Sequence, residues 1–284
     1  MATGAGAQAS GNSFVSSLSA DGQLVGFYSA AANLVAGDTN LANDIFVRDR
    51  ATGVTERVSV ATDGTQGNGA SFEALVSADG QTVAFRSAAS NLVSGDTNAT
   101  IDVFVHDRLA HTTQRVSVAT GGGQSNNQSI EPGISADGQL VVFRSTASNL
   151  VSGDTNGAND IFVHDRGAGV TERVSVASDG TQANLTCQSP TITADGRFVV
   201  FMSFGASTLV PGVFGTQVYV HDRTFNQTDV VSTAANGTPG NGSSLQPAVS
   251  PDGRYVAFQS LASNLVSGDT NNQPDIYVAP NPLW

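Results

Sequence analysis

The sequence predicts an all-β protein, a five-bladed β-propeller with four-stranded blades. Three observations carry that prediction. A tetrapeptide of the form SADG recurs, with its aspartates at Asp21, Asp79, Asp137, Asp195 and Asp252, spaced 58, 58, 58 and 57 residues apart. Each interval holds four short runs rich in Val, Ile and Phe, punctuated by Gly, Asp and Asn. No run carries the 3.6-residue period of a helix. Short strands repeated at so long a period mark propeller blades, because solenoid repeats are much shorter.

The elements of one unit follow in order. In the second unit SFEALV (71–76) is the first strand, and SADG turns the chain into QTVAFRS (81–87). A long loop containing GDTN leads to DVFVHDR (102–108), and TQRVSVA (113–119) is the fourth strand. The units run approximately 8–65, 66–123, 124–181, 182–238 and 239–284, within one domain spanning 1–284. The last unit follows its third strand, DIYV, with APNPLW, so the fifth blade is expected to lack an obvious outer strand. An unpaired edge of that kind invites pairing with another chain.

Composition narrows the function classes. The chain has 284 residues, a net charge of −12 and twelve basic residues, all arginine. Such a surface repels phosphate backbones and anionic lipid, which argues against nucleic acid and membrane-surface partners. It suits a hard cation instead. Cys187 is the one cysteine, so no intrachain disulfide forms. No stretch is long and apolar enough for a membrane span. The opening MATGAGAQASGN has neither a basic nor an apolar segment, so no signal peptide is expected in this sequence.

SPDGRYVAF (250–258), followed by DIYV (275–278), resembles the TolB-like propeller repeat and, more distantly, the WD repeat. The resemblance recurs five times and covers essentially the whole chain. It implies that the five aspartates of the SADG-type turns join the first two strands of each blade. It also implies protein binding, or service beside a catalytic domain. The repeats here are longer than usual, five rather than six, and no accompanying domain is seen. The expectation is a secreted or cell-surface bacterial module, extracellular or periplasmic, that binds proteins or assembles with them.

Antiparallel strands put alternate connections at opposite ends of a blade. The SADG turn and the turn after the third strand are short and share one end. The GDTN loop and the interblade loop are long and share the other, where binding residues concentrate. Four GDTN loops repeat one oxygen set: Asp38, Asn40 and Asp44; Asp96, Asn98 and Asp102; Asp154, Asn156 and Asp160; Asp269, Asn271 and Asp275. Hard oxygens at this spacing resemble the opening of Ca²⁺ loops, although the Gly and distal Glu of an EF-hand are missing. Turn chemistry alone is the competing account, since Asp, Asn and Gly build turns. Residues between the Asn and the last Asp vary freely. In the fourth unit the set disappears together, with Val213 and Gln217 in its place. Up to four Ca²⁺ are therefore expected, which would bring the net charge from −12 to −4.

Other residues raise further alternatives. Gln8, Gln66, Gln124 and Gln182, with Asn68, Asn126, Asn184 and Asn241, recur in the interblade loops. They either tie those loops to backbone or form a ring for sugar hydroxyls. Glu73 and Glu131 occupy matched first-strand positions, where Val15, Gln188 and Gln246 are read as counterparts. Facing a channel, the pair offers an acid and a base for glycoside cleavage, the enzyme alternative to a binding module. His106, His164 and His221 recur in VHDR and read as structural. Cys187 is matched with Phe14, Phe72, Ile130 and Leu245 as a small buried hydrophobe. The fourth unit's Phe204, Leu209, Val210, Val213 and Phe214 either pack inward without an ion or form an apolar docking patch.

Overall fold

A computed structural model describes residue 6 and residues 8–284. The reading of the opening segment lies partly outside these residues, as does the side chain of Val15. The described residues contain no helix and nineteen strands in five sheets. Strands β1 (Ser13–Leu18), β2 (Leu24–Ser29), β3 (Asp44–Asp49) and β4 (Thr55–Arg57) pair in that order. The second sheet is β5 (Ser71–Val76), β6 (Thr82–Ser87), β7 (Asp102–Asp107) and β8 (Thr112–Arg115). The third is β9 (Ser129–Ile134), β10 (Leu140–Ser145), β11 (Asp160–Asp165) and β12 (Val170–Arg173). The fourth is β13 (Cys187–Ile192), β14 (Phe198–Phe204), β15 (Thr216–Asp222) and β16 (Gln227–Val230). The fifth has three strands, β17 (Ser244–Val249), β18 (Tyr255–Ser260) and β19 (Asp275–Pro280). Five such sheets fit a five-bladed propeller.

The chain divides into two compact units, Met1–Val141 with His164–Val170, and Val142–Val163 with Thr171–Trp284. Each unit is held by the same two devices. Every blade stacks an aromatic of its second strand on one of its third. The pairs are Phe27–Phe46, Phe85–Phe104, Phe143–Phe162, Phe201–Tyr219 and Phe258–Tyr277, with ring centroids 5.5–6.0 Å apart. Cross-strand aromatic pairs of this kind stabilise a sheet beyond their buried area. The second device is packing between neighbouring sheets. In the first unit Ile45, Val47 and Val58 pack against Ala74, Val76, Val83 and Phe85. In the second, Val218, Val220 and Val231 pack against Val256 and Phe258. Burying each such side chain contributes about 1.5–3 kcal/mol.

The SADG-type turn is built by its own side chains. Ser135 Oγ donates to Asp137 Oδ1 at 2.6 Å, and that oxygen also accepts the Gln139 N–H at 3.0 Å. Gly138 takes φ 70°, a left-handed conformation that suits glycine. Arg166 Nη1 from the turn after the third strand donates to the Gly138 carbonyl at 2.8 Å, so the two short connections do meet at one end of the blade. Arg50, Arg108 and Arg223 repeat this bond to Gly22, Gly80 and Gly196. Asn281 makes it to Gly253 in the fifth blade.

The register corrects the alignment of the fourth unit by one residue. Cys187 lies opposite Ser203, as Ser71 lies opposite Ser87 and Ser244 opposite Ser260. Cys187 therefore stands where the other blades carry serine, and it is buried as expected. Gln188 takes the place of Phe72, and Ser189, not Gln188, is the counterpart of Glu73. Backbone conformation agrees, because Glu73, Glu131, Ser189 and Gln246 all have positive φ, at 62°, 55°, 54° and 50°. The first strands of the second, fourth and fifth blades carry an irregularity at this point, the usual setting for an unfavourable dihedral held by its surroundings.

Candidate functional site

In the first three blades the GDTN loops do not present their oxygens to open space. In the first blade Asp44 is fully buried at the head of β3, and Ser59 Oγ donates to its Oδ1 at 2.6 Å. Asn40 Nδ2 donates to Asp44 Oδ2 at 3.1 Å and to the Gly67 carbonyl at 2.9 Å. Asn40 Oδ1 accepts the Ala42 N–H at 2.9 Å, so the amide turns its nitrogen, not its oxygen, toward the carboxylates. Gln66, from the interblade loop, donates to Asp38 Oδ1 at 2.9 Å and to Asp44 Oδ2 at 2.8 Å. Arg57, at the end of β4, places Nη1 3.6 Å from Asp38 and 3.7 Å from Asp44.

The acid, arginine, asparagine and serine contacts repeat in the next two blades, but Gln124 and Gln182 accept from Arg115 and Arg173 at 3.0 and 2.8 Å and donate to the hydroxyls of Thr97 and Thr155, each at 2.6 Å. Arg115 Nη1 lies 3.2 Å from Asp96 and 3.5 Å from Asp102, and Arg173 Nη1 lies 3.4 Å from Asp154 and 3.6 Å from Asp160. Asn98 and Asn156 donate to Asp102 and Asp160, each at 2.8 Å. Ser117 and Ser175 donate to the same two aspartates at 2.6 and 2.5 Å. The variable residue after the Asn has positive φ in each loop, at Leu41, Ala99, Gly157 and Asn272. The loop shape is thus kept while its sequence drifts. Burial pushes the carboxyls of Asp44, Asp96, Asp154 and Asp160 above their ordinary range. The serine bonds on Asp44 and Asp160, and the nearby arginine in all four cases, pull the other way.

The fourth blade does the same work without charge. Gln217 Oε1 accepts from Ser232 Oγ at 2.5 Å, and its Nε2 donates to the Gly240 carbonyl at 2.7 Å. One amide thereby replaces both an Asp and an Asn. Val230 stands at the arginine position, opposite Tyr219 as Arg115 stands opposite Phe104. Sequence reasoning missed the arginine, although its loss from the same unit that loses the aspartates was visible. In this blade Leu209 and Val213 are buried, whereas Phe204 and Phe214 are exposed.

The fifth blade keeps the acids and has no arginine beside them. Asn271 Nδ2 donates to Asp275 Oδ2 at 3.3 Å, and the Tyr277 hydroxyl donates to Asp269 Oδ2 at 3.0 Å. Among the described residues no group of three or more His, Cys, Asp or Glu is placed to hold a metal ion.

The remaining candidates fall outside these loops. Asn68 donates to Ser90 Oγ at 3.0 Å and accepts the Ser90 N–H at 2.8 Å, and Asn184 and Asn241 make matching bonds to Ser207 and Ser263. These amides are therefore engaged with neighbouring loops. His106 and His221 are buried, with Nδ1 2.9 and 2.8 Å from the hydroxyls of Thr113 and Thr228. Burial lowers the pKa of both and of His164, that of His221 to about 4. Glu73 lies 3.1 Å from Arg86 Nε. Burial raises its carboxyl pKa, Arg86 lowers it, and Glu131 raises it again.

Repeated four-stranded antiparallel sheets joined by these loops define a β-propeller. Its fold is TolB-like. It is similar to TolB from Acinetobacter baumannii (16% identity, TM-score 0.50), covering 96% of this chain and 55% of that one. A putative TolB from Agrobacterium tumefaciens is similar at 17% identity and TM-score 0.54, over 94% and 76% of the two chains. The β-propeller domain of the Trilobed protease from Pyrococcus furiosus, which has an open velcro topology, matches at 10% identity and TM-score 0.57, over 95% and 70%. The chain thus spans about half the length of the first of these. At such identities the likeness is one of fold. No protein-family model and no curated protein matches the sequence.

Proposed function

We propose that the chain is a single β-propeller domain serving as a protein-binding module, and that a partner pairs with the open edge of the fifth blade. One observation carries this reading. β19 is the last strand of a three-stranded sheet, whereas each of the other four sheets has a fourth strand beyond its third. Among the described residues no strand pairs with the outer side of β19, and such an edge can be extended by an added strand. A peptide copying Thr112–Ala119 with Arg115→Val supplies a neutral outer strand. Titrated into the protein, it is expected to slow amide exchange at Ile276 and Val278, whose N–H groups point away from β18. Unchanged exchange at saturating peptide overturns the reading.

For the loops we propose arginine, rather than calcium, as the cation of the first three blades. The guanidinium already lies between each pair of carboxylates, and the asparagines offer N–H groups there. Melting in excess Ca²⁺ and in chelator is expected to give midpoints within about 1 °C, because an ion that does not bind the native state adds no stability. A clear rise in Ca²⁺ would restore calcium to these loops. An extracellular, periplasmic or cell-surface location accompanies the binding reading and rests on the resemblance alone.

A further inference from the structure

The sister blades describe the strand that the fifth sheet does not include among the described residues. In the first three, the outer strand carries Arg-Val-Ser at Arg57–Ser59, Arg115–Ser117 and Arg173–Ser175. The arginine sits opposite the third-strand aromatic, Phe46 or Phe104 in the first two. Its guanidinium reaches the two loop carboxylates. The serine hydroxyl, two residues on, donates to the second of those carboxylates. The valine between them is buried at Val58, Val116 and Val174. A threonine two residues before the arginine, at Thr55, Thr113 and Thr171, completes the pattern Thr-x-Arg-Val-Ser.

The fifth blade retains the receiving half of this arrangement. Asp269 and Asp275 keep their places, Asn271 still donates to Asp275, and Tyr277 occupies the aromatic position. Asp275 is half-buried, where Asp44, Asp102 and Asp160 are fully buried. The fourth blade shows that this chain removes the acids when it removes the arginine, since Val213, Gln217 and Val230 stand there together. Two carboxylates kept without their cation, beside an unpaired edge, form the complement of an arginine-bearing strand.

Resting on the edge-pairing reading above, we infer that the fifth blade accepts an extended segment of a partner polypeptide with the pattern Thr-x-Arg-Val-Ser. The segment pairs antiparallel to β19 and sets its arginine between Asp269 and Asp275. Register follows from the sister blades: the arginine falls opposite Tyr277, and the serine reaches Asp275. A charge-assisted, two-acceptor contact at a partly desolvated site selects for arginine over a neutral residue of similar β-propensity.

The test uses two peptides, a copy of Thr112–Ala119 and the same peptide carrying Arg115→Val, titrated into the intact chain by calorimetry. The arginine peptide is expected to bind about tenfold more tightly, and raised salt is expected to narrow the gap. Asp275→Asn should abolish the preference while leaving the valine peptide's affinity unchanged, with circular dichroism confirming that the variant is folded. Equal binding of both peptides overturns the arginine assignment and leaves edge pairing standing. Binding of neither overturns both. A concentration-dependent dimer that the arginine peptide does not dissociate assigns the edge to a second copy, and also overturns the inference.

Discussion

The third and fourth blades solve one structural problem in opposite ways. Both must anchor a long loop to the head of the third strand and to the interblade loop behind it. The third uses Asp154, Asp160, Asn156 and Arg173, a buried ionic cluster. The fourth uses Gln217, whose single amide accepts from a serine and donates to a backbone carbonyl. The difference teaches that the acids and the arginine form one unit. Each is costly to bury alone, so they are kept together or lost together. Taken on the acids alone, their joint loss looks like the disappearance of a metal site. Once Val230 is included, the arginine is seen to be lost together with the acids it faces in the third blade.

The strongest way to break this comparison is to remove one member. Asp160→Ala takes one of Arg173's two carboxylates and leaves Asn156 and Ser175 without their buried acceptor, and should cost about 3–5 kcal/mol, read by urea denaturation. A small loss would mean that the cluster is loosely held. Transplanting the fourth blade's solution sharpens the same point. The triple change Asp154→Val, Asp160→Gln and Arg173→Val is expected to cost about 1–2 kcal/mol, less than the single alanine, because coupled sites are not additive. A triple loss equal to the sum of its parts would dissolve the idea of a unit.

Acid provides a comparable lever inside the fourth blade. Burial holds the folded His221 pKa near 4, below the ordinary 6.5, so the folded chain keeps that imidazole neutral. As pH falls from 6.5 toward 4, the unfolded chain takes up the proton first. Stability present above pH 6.5 is therefore lost, by roughly 3 kcal/mol at most. The raised carboxyls of Asp44, Asp96, Asp154 and Asp160 act in the opposite direction, since the folded chain binds their protons more tightly. Comparing the intact chain with His221→Gln isolates the histidine, and the variant should show a flatter profile between those pH values. The smallest effect belongs to the repeated turn. Ser135→Ala removes a hydroxyl that donates to Asp137 and accepts the Leu140 N–H, and should cost about 1 kcal/mol.

Much of the fold was legible because turn chemistry is local. Each SADG-type turn is closed by residues within five positions of one another, so its period marks the blade. The ionic cluster was less legible because its parts come from two strands and the following loop. Asp102 and Arg115 are thirteen residues apart in sequence, and Asn98 to Ser125 spans twenty-seven. Which end of an asparagine amide faces a carboxylate cannot be read from sequence at all. The slip at Cys187 has a similar origin. With Cys in place of the serine that marks the strand start in the other blades, Gln188 looked like the partner of Gln246. In a strand one residue of shift turns a side chain to the other face, and only the pairing with Ser203 fixes it.

The arginines carry one more consequence. Each of the twelve has a partner within the chain. Arg57, Arg86, Arg115, Arg173, Arg197 and Arg254 face carboxylates. Arg50, Arg108, Arg166 and Arg223 hold turn carbonyls, Arg48 bonds Thr55, and Arg144 bonds Gln188. With no lysine present, the architecture consumes the protein's entire stock of cationic side chains. The protein's twenty-four acids outnumber them two to one, and the net charge of −12 makes the electric field outside the molecule negative. Basic surfaces should be drawn in from about one Debye length, ~8 Å at physiological ionic strength, and their capture should slow as salt is raised.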